Sequence, residues 1–246
     1  LETKWLWEGL AEYGTKAIAS DLGVRPVETG WSTRPYKNEP LSMWYHGSDI
    51  YDSEFWYGKA GAFWFAYETA IGGRANMTAL LGRMDDEPSL LPLDAGWFMD
   101  QGEWVSGNNL DSLFVEWVYN PVTSKSLLAD RRAAHDLVKA LQARGTSLGL
   151  SGMPSDIYDN LLAWVFDPVA GQVAKANKVL DSYAEVLALS TEAGLGTPDG
   201  VSQSWGKKRV ADTAIVVEEQ RQAILAILSA TKDLESAADD SVARQK

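Results

Sequence analysis

Apolar residues recur at steps of three and four along most of this chain, and no strand-length run alternates apolar with polar. Val169, Val173, Ala176, Leu180, Tyr183 and Leu187 form one such stripe, and Leu110, Leu113, Phe114, Trp117 and Val118 follow the i, i+3, i+4, i+7, i+8 pattern of one helix face. This spacing buries one side of a helix; the face of a strand repeats every second residue instead. The expected fold class is therefore all-α, mostly α-helical.

Punctuating residues place the helices. Leu6, Leu10, Tyr13 and Ala17 share a face at the start of the chain. Residues 23–54 contain Pro26, Pro35, Pro40, Gly23, Gly30 and Gly47 and read as a long irregular segment, the kind that usually carries function. An apolar helix over 55–71 should stop at Gly72-Gly73, with a short helix over 76–84 and a proline-containing connection over 85–93. Asp94 can cap a helix over 95–105 that Gly107 ends, and Pro121 stops the one after it. Helices at about 126–143, 155–166, 169–193 and 212–237 follow, punctuated by Gly145, Pro154, Pro168 and Gly194. The end, LESAADDSVARQK, is expected to fray.

Composition narrows the function classes. The chain has 246 residues, 46% of them hydrophobic, enough to bury the core of one large domain or two modest ones. Nine of the eleven tryptophans precede residue 120, which places a boundary near Pro121 and gives domains of 1–122 and 123–246. The absence of cysteine excludes disulfides and thiolate metal sites. A net charge of −12 argues against nucleic acid and against docking on anionic lipid. No apolar run reaches the roughly 18 residues of a membrane span, and no signal peptide is visible. The start at Leu-Glu-Thr suggests a processed or cut chain, so the compartment stays open, an extracytoplasmic or membrane-associated parent included.

Glu8 and Glu12 lie one turn apart on the first helix, and spacing alone makes them ordinary solvated residues. Gly9 between them costs about 1 kcal/mol relative to Ala, tolerable where something packs close to the backbone. WLWEGLAEY, residues 5–13, resembles the W-L-x-E-G-x-A-x-Y segment of the M1 family of zinc aminopeptidases, among the gluzincins. The resemblance implies that Glu8 is the third zinc ligand, beside two histidines of an H-E-x-x-H helix, with the fourth position open to water. Glu12, on the face of Glu8, would support it from behind.

Two further segments match in family order. WYGKAGAF resembles the family's Y-x-K-G helix start, which implies that the Tyr57 hydroxyl stabilises the oxyanion of the tetrahedral intermediate. Ala60 stands where the family has Gly, with Gly61 one residue later, and Tyr51 and Tyr45 stay open as substitutes. SGNNLDSLFVEWVYNP is similar to the segment that closes the family's helical lobe, through Gly107, Leu110, Phe114 and Trp117. The three matches span residues 3–121 and imply the helical lobe of a thermolysin-like metallopeptidase domain, followed by an additional helical region that matches nothing.

H-E-x-x-H and the exopeptidase motif G-A-M-E-N do not occur in these residues. If the parent has them, they lie upstream of Leu1. The intact parent would then use Zn2+ on a peptide or protein substrate, while this chain alone is expected neither to bind catalytic zinc tightly nor to hydrolyse peptides. The two histidines, His46 and His135, lack the i, i+4 spacing of a helical zinc pair. Within the irregular segment, Trp31, Trp44, Tyr45 and His46 are candidates for a substrate wall.

Two alternatives stand beside this one. The first is a non-catalytic, peptidase-shaped binding or scaffold module. The second is a helical-barrel glycoside hydrolase with Glu54 and Asp52, or Glu8 and Glu12, as its carboxylates, although catalytic pairs usually face each other across a cleft from separate segments. In the second half, helices 169–193 and 212–237 can pack on each other, form a homodimer or lead towards an anchor. WGKKRV, residues 205–210, is the most basic patch and is too short to imply nucleic acid.

Overall fold

The computed structural model describes residues 4–25, 30–44, 53–86, 94–122 and 124–244. These form ten α-helices and two 3-10 turns, with no strand among the described residues. The chain is all-α. It divides into two compact units, Leu1–Leu128 and Ala129–Lys246.

In the first unit, α1 (Lys4–Asp21) packs on α2 (Ser53–Ala70), and α3 (Arg74–Asp86), α4 (Ala95–Ser106) and α5 (Asp111–Trp117) complete the helical set. The 3-10 turns Trp31–Thr33 and Leu41–Met43 interrupt the segment expected to be wholly irregular. Local chemistry sets several helix ends. Gly72 and Gly73 take φ of 90° and 99° after α2. The Asp94 side chain accepts from the Trp97 N–H at 2.9 Å to cap α4, and Gly107 ends it with φ 70°.

The core of this unit is aromatic. Phe63 meets Trp5, Trp64 and Phe114 edge to face at 5.1, 5.6 and 5.6 Å, each pair contributing about 0.5–1.5 kcal/mol beyond burial alone. The Trp64 indole donates to the Leu6 carbonyl at 3.1 Å, so its buried N–H is satisfied across the α1–α2 contact.

The helix α6 (Ser124–Ser147) runs through the division between the units. The second unit adds α7 (Ser155–Leu162), α8 (Val169–Glu192), α9 (Asp199–Trp205) and α10 (Val210–Arg244). Four expectations need correction here. Gly145 does not end a helix but lies inside α6, where Trp205 packs over it: a Cβ there would stand 3.5 Å from the indole nitrogen. α7 stops at Leu162, well before 166, because Trp164 takes φ 54°. The helix α9 was not expected, and it forms because Val201 and Trp205 are buried. The segment expected to fray continues α10 to Arg244.

Candidate functional site

The backbones of α1 and α2 approach closely. A Cβ on Gly9 would lie 2.8 Å from the Ala60 Cβ, and one on Gly61 would lie 3.0 Å from the Glu12 Cβ. Small residues at 9, 60 and 61 therefore let two helix backbones touch. Glu8, half-buried, precedes Gly9; Tyr57, the fifth residue of α2, lies one turn before Ala60 and Gly61. The helix–helix contact thus brings the two sequence segments that carry Glu8 and Tyr57 to the same crossing.

Tyr57 is half-buried and meets the Trp44 ring edge to face at 5.1 Å. Trp44 is fully buried, stacked on Trp56 at 6.0 Å and 8°, with the Lys4 ammonium 5.2 Å from its ring. Its face is enclosed by Trp56 and Tyr57, so Trp44 is a packing element and presents no open wall. Glu12 directs its carboxylate to Lys16 at 3.5 Å, an i,i+4 ion pair. Glu8 and Glu12 stand on one helix and do not face each other across a cleft. Glu54 is exposed, 3.9 Å from Arg34. Tyr45, His46, Tyr51 and Asp52 lie outside the described residues. His135 lies on α6, in the second unit.

Trp31 has a different setting. With Trp117, Tyr119, Lys37, Lys59 and Glu116 it lines a cleft of about 540 Å³, within the size range of small-molecule sites. The Trp31 and Trp117 rings sit 5.3 Å apart at 53°, two walls of one corner. Trp117, expected only to pack, both packs near Phe63 at 6.3 Å and lines this cleft.

Sequence reasoning missed the role of Lys59. Its side chain is only 2% exposed, and its ammonium donates to the Lys37 and Glu39 carbonyls at 2.8 and 2.5 Å. Burial lowers its pKa to about 8, while Glu39 and Glu116 pull the other way. Lys59 therefore ties the loop over residues 37–39 to α2 and forms part of the cleft. The only signal in the sequence was its place in a Y-x-K-G-like string, which says nothing about burial.

The described residues contain no group of three His, Cys, Asp or Glu able to hold a metal ion. Glu8 is one oxygen donor and does not make a zinc centre with the other described residues. No helix among them is long and apolar enough to cross a membrane. Comparison of the chain with protein-family models, curated proteins and solved structures gives no significant match.

Proposed function

We propose that this chain is the helical lobe of an M1-like zinc aminopeptidase, with Glu8 its carboxylate ligand and Tyr57 its oxyanion donor. The supporting observation is the seating of the Glu8–Gly9 step against Ala60, one turn along α2 from Tyr57. Two imidazoles and a general base have to come from polypeptide outside residues 1–246. Peptide or protein chains are the substrate class, and a phenol aimed at a developing oxyanion contributes about 10²–10³ in kcat.

The test is made on the full-length gene product. Zinc content and hydrolysis of aminoacyl arylamides are measured for wild type, Glu8→Ala and Tyr57→Phe. Glu8→Ala should lose both metal and activity; Tyr57→Phe should keep the metal and lose kcat. An inactive, zinc-free wild type, or a fully active Tyr57→Phe, would refute the assignment.

The Trp31–Trp117 cleft favours a second reading, a non-catalytic binding module. Its signature is ligand binding that Trp31→Ala abolishes and Glu8→Ala leaves unchanged.

A further inference from the structure

Helix α10 outruns the helix it packs on. Lys175 and Lys178 of α8 line a groove with Val210 and Ala214 of α10, and Glu185 reaches Arg221 at 3.9 Å, so the two helices run in the same direction. Facing residues are offset by about 35 positions, so α8, which ends at Glu192, stops level with about residue 228. Residues 229–244, about 24 Å of helix at 1.5 Å per residue, are exposed throughout.

The stripe that α8 and α9 bury continues into this free end. Thr213, Val217 and Ile224 are buried, and Ile227, Thr231, Leu234, Ala238 and Val242 extend the same steps of three and four. Ile227, Leu234 and Val242 are 44%, 72% and 54% exposed. A helical stretch of this length with no packing partner is marginal in water.

The other end of the same helix carries the complement. The groove holds about 330 Å³; Val179, Ala211, Ala214 and Val217 form its apolar lining, and Lys175 and Lys178 stand exposed among its residues, with Glu218 also present. Lys207, Lys208 and Arg209 lie just before α10 and are exposed. The free end carries Asp233, Glu235, Asp239 and Asp240 against Lys232 and Arg244. The charge of the free end is therefore opposite in sign to that of the lysines along the groove and just before α10. An antiparallel copy brings the acidic free end beside these basic residues.

We infer that two copies of this chain pair about a two-fold axis, the free end of each α10 lying antiparallel in the α8–α10 groove of the other. An overlap centred near residue 225 sets Asp239 and Asp240 level with Val210 and Ala211, beside Lys175 and Lys178. It also brings Leu234 of one copy level with Ile215 of the other, itself 58% exposed. The symmetry makes the contact twice, which raises the buried area towards the roughly 1,200 Å² or more of a stable interface.

Sedimentation equilibrium of the whole chain, from nanomolar to tens of micromolar, tests this. The mass should double with concentration. Leu234→Lys, at a site exposed in the single chain, should give a monomer with an unchanged helical circular dichroism spectrum. Lys175→Glu with Lys178→Glu should weaken pairing at least tenfold, and adding Asp239→Lys with Asp240→Lys should restore it. A monomer at every concentration overturns the proposal, as does a dimer indifferent to Leu234→Lys. Charge reversals without mutual rescue would place the free end elsewhere and also overturn it.

Discussion

Gly9 rests directly on Ala60: a Cβ added at Gly9 would stand 2.8 Å from the Ala60 Cβ and 2.9 Å from its carbonyl oxygen. Both obstacles are rigid, so the helices would have to part. Gly9→Ala should therefore cost about 1–3 kcal/mol, although Ala is the better helix former. Gly14, on the same helix, has nothing within 4 Å of its Cβ position, and Gly14→Ala should stabilise by about 0.5–1 kcal/mol. Urea unfolding followed by tryptophan fluorescence separates the two. Equal gains in both variants would show that α1 and α2 do not touch at Gly9.

Lys59 should leave a signature in the pH dependence of stability. Burial lowers its pKa to about 8 in the folded chain, against 10.5 for a free side chain. Between these values the unfolded chain binds more protons, so stability rises with pH from about 8 to about 10.5. A neutral amine retains two N–H donors, enough for the Lys37 and Glu39 carbonyls. Lys59→Met should lose this rising limb and leave both carbonyls without their donor. The difference in urea midpoint between wild type and Lys59→Met, measured from pH 7 to 10, checks this; a flat difference would contradict it.

Tyr13 predicts the opposite sign. Its hydroxyl donates to Glu68 at 2.6 Å, and Arg74 holds the other Glu68 oxygen at 2.9 Å. Burial, then the bond to Glu68, raises the Tyr13 pKa to about 12, with Arg74 opposing. The folded chain keeps the phenol proton longer, so this contribution is complete below pH 10 and is lost as pH rises through 12. Tyr13→Phe should cost about 1.5–3 kcal/mol near neutrality, the usual range for a bond to a charged group. It should also remove a late-ionising phase from the absorbance titration of the tyrosines.

Tyr67 and Gly102 form a tighter pair. The Tyr67 hydroxyl donates to the Phe98 carbonyl at 2.6 Å and occupies the space that a Cβ on Gly102 would need. The Leu110 side chain closes the same space at 2.9 Å. Gly102→Ala should cost about 3 kcal/mol. In the double variant Gly102→Ala/Tyr67→Phe, loss of the hydroxyl frees room, so the two costs should fall short of additivity by at least about 0.5 kcal/mol. Strict additivity in thermal unfolding would rule out the clash.

Much of the helical framework was legible because its causes are local. The cap at Asp94, the left-handed Gly107 and the Gly72-Gly73 stop each depend on residues within a few positions. Of the site, Glu8, Glu12, Tyr57 and Trp31 could be picked out as types in a pattern, but their surroundings could not. Trp44 looked like an open wall because tryptophan spacing carries no record of what covers it. Lys59 looked like one member of a string, whereas its partners lie 20 and 22 residues earlier in the loop.

That this chain is helical could be read from residue order alone, because apolar spacing and capping act over one or two turns and need no knowledge of distant partners. Which glycines are stops and which are contacts depended on the folded arrangement. Gly107 ends a helix through its own backbone angle, while Gly9 and Gly145 lie within helices because Ala60 and Trp205 press against them. It also decided that a lysine would be buried and that α10 would outrun its neighbour. Burial is a property of the assembled surfaces: it arises when segments far apart in the chain exclude water together, and no single stretch of sequence contains both sides of that contact.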